Sequence, residues 1–248
     1  MPQLIKTSNP ALNGRVFQGQ PIALDDAMTL DGTVNKTGIL LLCCAATAAY
    51  AWHVFMQSRN LAEISGLLWI GLIGGFIVAL ATIFKQTWAP ITAPLYALLE
   101  GLVLGSLSAF LELRFPGIAM QSVGMTFGVL FVMLFAYRAR IIPVTQKLRL
   151  GIVAATGAIA LFYIAEIILG FFGVQFGLIN GRGPIGIVFS VVVVAIAAFN
   201  LVLDFDFIEN GVRARAPKYM EWYAAFGLMV TLVWLYLEIL RLLSKIRD

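Results

Sequence analysis

Residues 184–203 read PIGIVFSVVVVAIAAFNLVL, an uncharged run that Asp204 follows directly. A helix needs about 20 consecutive apolar residues to cross the hydrocarbon core of a bilayer, and this run has that length. Pro184 suits the first turn of such a helix. The stretch therefore predicts a transmembrane helix that ends next to an acidic group.

The composition of the whole chain extends this prediction. Hydrophobic residues make up 60% of the 248 positions and charged residues 12%, against roughly 25% charged residues in a soluble domain. The mean hydropathy is +0.92. We expect an all-α, polytopic membrane protein in contact with the lipid bilayer. The net charge of +4 comes mostly from loop Lys and Arg residues, which orient helices, so we expect no nucleic-acid partner.

Seven stretches of the chain are long and apolar enough to span a bilayer. Turn-forming and charged residues separate them. Residues 1–36 are polar, so we expect a cytoplasmic N-terminal tail over 1–36 and a seven-helix transmembrane domain over 37–248. The seven stretches are Thr37–Met56, Ile64–Phe84, Ile91–Phe110, Gly117–Tyr137, Leu148–Phe172, Pro184–Leu203 and Tyr219–Leu243.

The distribution of Lys and Arg predicts the orientation, because cytoplasmic loops carry an excess of these residues. We expect the N-terminus in the cytoplasm and the C-terminus on the other side. The cytoplasmic side then holds Lys6, Arg15, Lys36, Lys85, Arg138, Arg140, Lys147, Arg149, Arg213, Arg215 and Lys218. The opposite side holds Arg59, Arg114, Arg182, Arg241, Lys245 and Arg247.

Two predicted helices carry stripes of small residues at four-residue spacing. Such stripes let membrane helices approach closely, so we interpret them as packing surfaces. They are Gly71, Gly75 and Ala79 in the second helix, and Ala97, Gly101, Gly105 and Ala109 in the third.

An acidic residue at the centre of a membrane helix raises the free energy of insertion by about 2.5–3.5 kcal/mol. Acidic residues in membrane spans therefore usually serve a function. Asp204 shares a helix face with Asn200, and we expect this face to point into the bundle. Asp206 lies about 200° around the helix from Asp204. It shares its side with Glu209, whose spacing to Arg213 favours an ion pair. We therefore place Asp206 and Glu209 at the cytoplasmic rim.

Glu238 lies within the last apolar stretch, with Arg241 three residues later. A salt bridge between these two side chains is the structural alternative to a functional role for Glu238. Glu100 and Glu166 are further acids inside predicted spans. Each fits either a hydrogen-bonded packing residue or a polar lining group, and both interpretations stay open.

The sequence argues against the enzyme classes known in membranes. Its one histidine, His53, excludes the His-Glu-x-x-His motif of zinc proteases. An intramembrane serine protease needs a serine and a histidine base on separate helices, and His53 has no partner motif. We expect no enzymatic activity and no resident cofactor.

Short motifs resemble one protein family in their order and position. Asp204 and Ile208 form Asp-x-x-x-Ile after the sixth stretch, and residues 235–239 read Leu-Tyr-Leu-Glu-Ile in the seventh. They resemble the transmembrane Bax inhibitor motif family. The segments Met28–Thr33 and Ala216–Tyr223 are similar to one bacterial branch, which implies a location in the bacterial inner membrane. The resemblance covers roughly residues 28–246.

The resemblance implies a bundle in which the last helix is central and the other six surround it. Characterised bacterial members are pH-sensitive calcium leaks, in which an acid of the sixth span and an acid of the seventh share a proton. In this sequence those positions are Asp204 and Glu238, which also become candidate ligands for Ca²⁺. A basic residue near the end of the second span assists in those members, and Lys85 is the nearest counterpart here.

A physical argument agrees with that function. Two carboxyl groups held close together at low dielectric cannot both ionise, so they share a proton, and losing it separates their helices. We therefore expect a pH-sensitive calcium leak channel. The alternatives are a non-conducting regulator that binds other membrane proteins, such as a quality-control protease, and a proton-coupled transporter. Expected supporting residues are Lys85, Glu100, Asn200, Asp206, Glu209 and Arg241.

Overall fold

A computed structural model describes residues 26–58, 61–172 and 183–248 of the chain. Most of the predicted N-terminal tail, residues 1–25, lies outside this range. Four residues counted for the orientation, Lys6, Arg15, Arg59 and Arg182, also lie outside it.

The described residues form seven helices that are long and apolar enough to cross a membrane, which confirms the predicted all-α architecture. A short 3₁₀ turn, Gln86–Trp88, precedes the third helix. The helices are α1 (Leu30–Ser58), α2 (Leu61–Phe84), α3 (Ala89–Arg114), α4 (Ile118–Arg138), α5 (Gln146–Phe171), α6 (Pro184–Arg213) and α7 (Met220–Arg247).

Two helix ends differ clearly from the sequence prediction. Helix α1 begins at Leu30 rather than Thr37, within the segment expected to be tail. Helix α6 begins at Pro184 as predicted, but it continues past Leu203 to Arg213. Its 30 residues correspond to about 45 Å, so its last turns extend beyond a hydrocarbon core of roughly 30 Å. Ion pairs of the acids after Leu203 stabilise this extension, as described below.

Helix α7 occupies the centre of the bundle, as predicted. It packs against α1, α3, α4 and α6. Of its most apolar window, 72% is buried, compared with 44% for α3 and α6 and 11–22% for the other four helices. The outer helices therefore face lipid, and α7 is the element against which they pack.

The small residues of α2 and α3 lie at close helix–helix contacts, which confirms the predicted packing surfaces. A Cβ atom on Gly101 would lie 2.2 Å from the carbonyl oxygen of Cys44 on α1. A Cβ atom on Gly71 would lie 2.6 Å from the carbonyl oxygen of Leu99. The Thr47 hydroxyl donates a hydrogen bond of 2.8 Å to another α3 carbonyl, so a side chain of α1 is bonded directly to the α3 backbone.

Candidate functional site

Glu238 lies in the buried part of α7 and is 2% exposed. Its Oε1 accepts hydrogen bonds from the Tyr163 hydroxyl of α5 at 2.8 Å and from Arg241 Nη1 at 3.0 Å. Arg241 Nη1 also donates to Tyr163 Oη at 2.7 Å. The three side chains form a closed polar cluster between α5 and α7, and the intrahelical salt bridge that the sequence offered as an alternative is present.

A second polar contact of α7 fixes its position relative to α6. Lys245 is buried and donates to the carbonyl oxygen of Gly186 at 3.1 Å and to Ser190 Oγ at 2.9 Å. The C-terminal end of α7 therefore lies beside the N-terminal end of α6. The two helices are antiparallel and meet again at the short loop between Arg213 and Met220.

Asp204 is fully buried on α6. One turn earlier, Asn200 donates from Nδ2 to Thr156 Oγ1 of α5 at 2.8 Å. The polar face that the sequence predicted for Asn200 and Asp204 therefore lies inside the bundle, where α6 packs against α5 and α7.

The structure does not bring Asp204 and Glu238 together as a hydrogen-bonded pair. Asp204 lies nine residues before the end of α6, about 14 Å from the α6–α7 loop. Glu238 lies eighteen residues after the start of α7, about 27 Å from the same loop. The contact of Lys245 with Ser190 agrees with this register. The two acids are thus offset by about 13 Å along the helices, too far to share one proton directly.

The same offset prevents the two acids from holding one Ca²⁺ ion between them, as the sequence analysis had suggested, because calcium ligands lie 2.3–2.6 Å from the ion. Among the described residues, no three or more His, Cys, Asp or Glu side chains form a group that could hold a metal. Arg241 also places a positive charge at Glu238, which opposes cation binding in this arrangement.

Asp206 and Glu209 lie in the extended last turns of α6, as predicted for a rim. Asp206 forms an ion pair with Arg149 at the start of α5. Glu209 accepts from Tyr137 of α4, and its predicted ion pair with Arg213 is present. These contacts join α4, α5 and α6 at the end of the bundle that carries the α6–α7 loop, which we call the hairpin end.

Two other expected supporting residues, Lys85 and Glu100, contact other groups. Lys85 is exposed after the end of α2, and its ammonium group lies 4.1 Å from the ring centroid of Trp88. Glu100 lies where α3 packs on α2, since a Cβ atom on Gly75 would meet its Oε1 at 3.1 Å. A hydrogen bond joins Glu100 to Tyr96. Glu100 therefore belongs to the α2–α3 interface, which favours the packing interpretation.

One acid that its sequence context did not indicate, Glu221, has several bonding partners. It lies in the first turn of α7 and is fully buried. Its Oε1 accepts hydrogen bonds of 2.8 Å from both the backbone N–H and the hydroxyl of Thr29. Lys36 of α1 pairs with its other oxygen, and Lys218 Nζ lies 3.2 Å from Oε1.

Backbone hydrogen bonds hold the chain before α1 against the loop before α7. Met28 N–H donates to the carbonyl of Ala216 at 2.7 Å, and Lys218 N–H donates to the carbonyl of Asp26 at 2.9 Å. We call residues 26–29 the N-terminal strap. The strap and the loop belong to the two segments that carry the branch resemblance, and that shared signal could have suggested their contact.

These features define a polytopic membrane protein of seven helices, with a central last helix that carries a buried acid. A family model described as Bax inhibitor 1 like matches residues 9–248, nearly the whole chain. The protein therefore belongs to the Bax inhibitor 1 like family, as its motifs predicted. Comparisons with curated proteins and with solved structures give no significant match.

Proposed function

We propose that this protein is a pH-sensitive cation leak in a bacterial plasma membrane, with Ca²⁺ as the main permeant ion. Family membership supports this proposal. The observation that carries it is the presence of two acids in the membrane-embedded core, Asp204 at 0% and Glu238 at 2% exposure. Ionisable groups at such positions usually serve the movement of ions or protons, because burying a charge in a membrane is costly.

In this proposal the two acids act at separate depths instead of forming one hydrogen-bonded latch. An ionised Glu238 is neutralised by Arg241 and bonded by Tyr163, which ties α7 to α5. Protonation of Glu238 would leave the guanidinium group of Arg241 without its counter-charge. The contact between α5 and α7 would then weaken, so proton binding would change the packing around the central helix.

The offset between the acids also suits conduction. A permeating cation would meet two acidic positions about 13 Å apart along α6 and α7. Conduction requires sites that bind an ion well enough for it to enter and weakly enough for it to leave. Two separate carboxylates, of which Glu238 is already paired with Arg241, would hold a cation more weakly than one site with both carboxylates on the same ion.

We expect Asp204→Asn and Glu238→Gln each to flatten the pH dependence of Ca²⁺ flux, since each variant lacks one proton-binding group. The ratio of the fluxes at about pH 8 and about pH 6 should move towards one. The measurement is fluorescent Ca²⁺ uptake into vesicles that contain the purified protein. Asp206→Asn is the control, because Asp206 pairs with Arg149 at the rim.

The same assay separates the alternatives. If the vesicles show no more flux than empty ones, the channel proposal fails and a non-conducting regulator, for example of a membrane protease, takes its place. If a proton gradient drives Ca²⁺ against its own gradient, the protein is a transporter. If only Asp206→Asn changes the pH response, the channel proposal stands but our choice of acids does not.

The proposed orientation places the hairpin end in the cytoplasm. In a protein with Cys43 and Cys44 replaced by serine, Ala139→Cys in the α4–α5 loop should resist a membrane-impermeant thiol reagent in intact cells. Pro116→Cys, in the α3–α4 turn at the opposite end, should react readily. Both positions are exposed, so burial does not explain the difference. The reverse pattern of labelling would invert the orientation.

A further inference from the structure

A cavity of about 630 Å³ lies between α1 and α4, with α3 and α7 at its base. Small side chains such as Ala45, Ala48 and Gly105 leave this space, and larger apolar residues such as Leu232 and Phe127 complete its walls. The volume is within the roughly 300–1,000 Å³ of ordinary small-molecule sites.

The cavity opens sideways into the bilayer. Ala45 and Ala49 on α1, and Val123 and Phe127 on α4, line it and are also exposed. All four residues lie inside helices that span the membrane. The mouth therefore faces lipid chains rather than water.

The length of the cavity matches one leaflet. Along α1 it extends from Leu41 to Trp52, which is about 16 Å at 1.5 Å per residue. Half of a hydrocarbon core is about 15 Å. The lining residues of α3 and α4 and most of those of α1 lie in the helix halves away from the hairpin end, whereas Leu41 and Met229 lie nearer to it. The cavity therefore lies mainly in the leaflet opposite the hairpin end and reaches the middle of the bilayer.

The polar side chains on the lining are bonded to the protein itself. Ser108 Oγ and Tyr236 Oη are 2.6 Å apart, and Ser108 also donates to a carbonyl of its own helix. Thr126 donates to the carbonyl of Ser122. Glu112 accepts from backbone N–H groups at the start of α4. The lining thus offers contact to hydrocarbon and little to an ion or a peptide.

We propose that this cavity binds one acyl chain of a phospholipid from that leaflet. Its depth, its lateral mouth and its satisfied polar groups together favour a single hydrocarbon chain that lies along α1. This inference does not depend on the proposed ion flux, because the site is apolar and separate from Glu238 and Asp204.

The test compares two neighbouring alanines of α1. Both are exposed, but Ala45 lines the cavity whereas Ala46 does not. After extensive detergent exchange, the wild type and Ala46→Phe should each retain about one phospholipid per chain, measured by mass spectrometry of organic extracts. Ala45→Phe should retain at least fivefold less, because the ring occupies the mouth. Circular dichroism and gel filtration check that both variants are folded.

A second measurement uses only the wild-type protein. One equivalent of a phospholipid with a photoreactive acyl chain should label the mouth residues on α1 and α4 in preference to Phe76 or Leu161, which are exposed on outer helices. Equal labelling of all exposed faces would overturn the proposal. So would a wild type without bound lipid, equal retention by the two variants, or a free fatty acid as the retained molecule.

Discussion

Replacing Gly101 with leucine should separate α1 from α3 and destabilise the protein by about 3 kcal/mol, the upper part of the usual range for overpacking. The first side-chain carbon would already lie 2.2 Å from the carbonyl oxygen of Cys44 and 2.0 Å from Thr47 Oγ1. Backbone atoms cannot rotate away as a flexible side chain can, so the helices must move apart. Titration with a denaturing detergent, followed by gel filtration, measures the loss of stability.

Gly128 provides the matched control, since it lies on α4 and a Cβ atom built there has no heavy atom within 4 Å besides its chain neighbours and the nearby backbone of its own helix. Gly128→Leu should change stability by less than about 1 kcal/mol, and the better helix propensity of leucine favours a gain. Equal losses in both variants would mean that helix glycines matter here for a reason other than close packing.

Glu221→Leu should produce the second large effect. We expect it to lower the free energy of unfolding by about 3–5 kcal/mol, the usual result of removing one partner of a buried ion pair. Lys36 would lose its counter-charge, and both donors of Thr29 would lose their acceptor. The N-terminal strap should then detach from the α6–α7 loop. The loss is measured by detergent titration, and release of the strap by faster proteolysis before Leu30.

Arg213→Leu is the control for this experiment. It breaks the pair with Glu209, whose side chains are 65% and 38% exposed, and such pairs contribute about 0–1 kcal/mol. Gly32→Ala is an independent route to the same result as Glu221→Leu, because its Cβ atom would lie 2.3 Å from the Glu221 carboxylate. If Glu221→Leu is no more harmful than Arg213→Leu, the strap contact is not important for stability.

The sequence was sufficient to predict the seven helices and their close contacts. A bilayer requires apolar runs of fixed length, so Pro184–Leu203 could be recognised without any knowledge of its neighbours. Small residues allow two helix backbones to approach closely, so Gly71 and Gly101 could be recognised as packing positions from their spacing. The extension of α6 to Arg213 was harder to predict, because its stability comes from Arg149 and Tyr137 on other helices.

The relative depth of the two acids could not be read from their motifs. Motifs identify Asp204 and Glu238, but depth depends on how far α6 continues, how short the loop is and where α7 begins. Each added residue of helix shifts the level by about 1.5 Å. Glu221 was overlooked for a related reason: beside Lys218 it resembles a solvated helix end, and a strap that lies 192 positions earlier in the sequence buries it.

The central position of α7 has a consequence for how the protein is made. The helix that the other six surround follows them in the sequence, so during translation α1 to α6 must remain in the membrane without the surface against which they pack. Thr29 likewise cannot bond to Glu221 until the 192 positions that follow it have been synthesised. Contacts between such distant positions form slowly and leave partly assembled intermediates exposed. Assembly of the described bundle therefore requires that α7 has entered the bilayer.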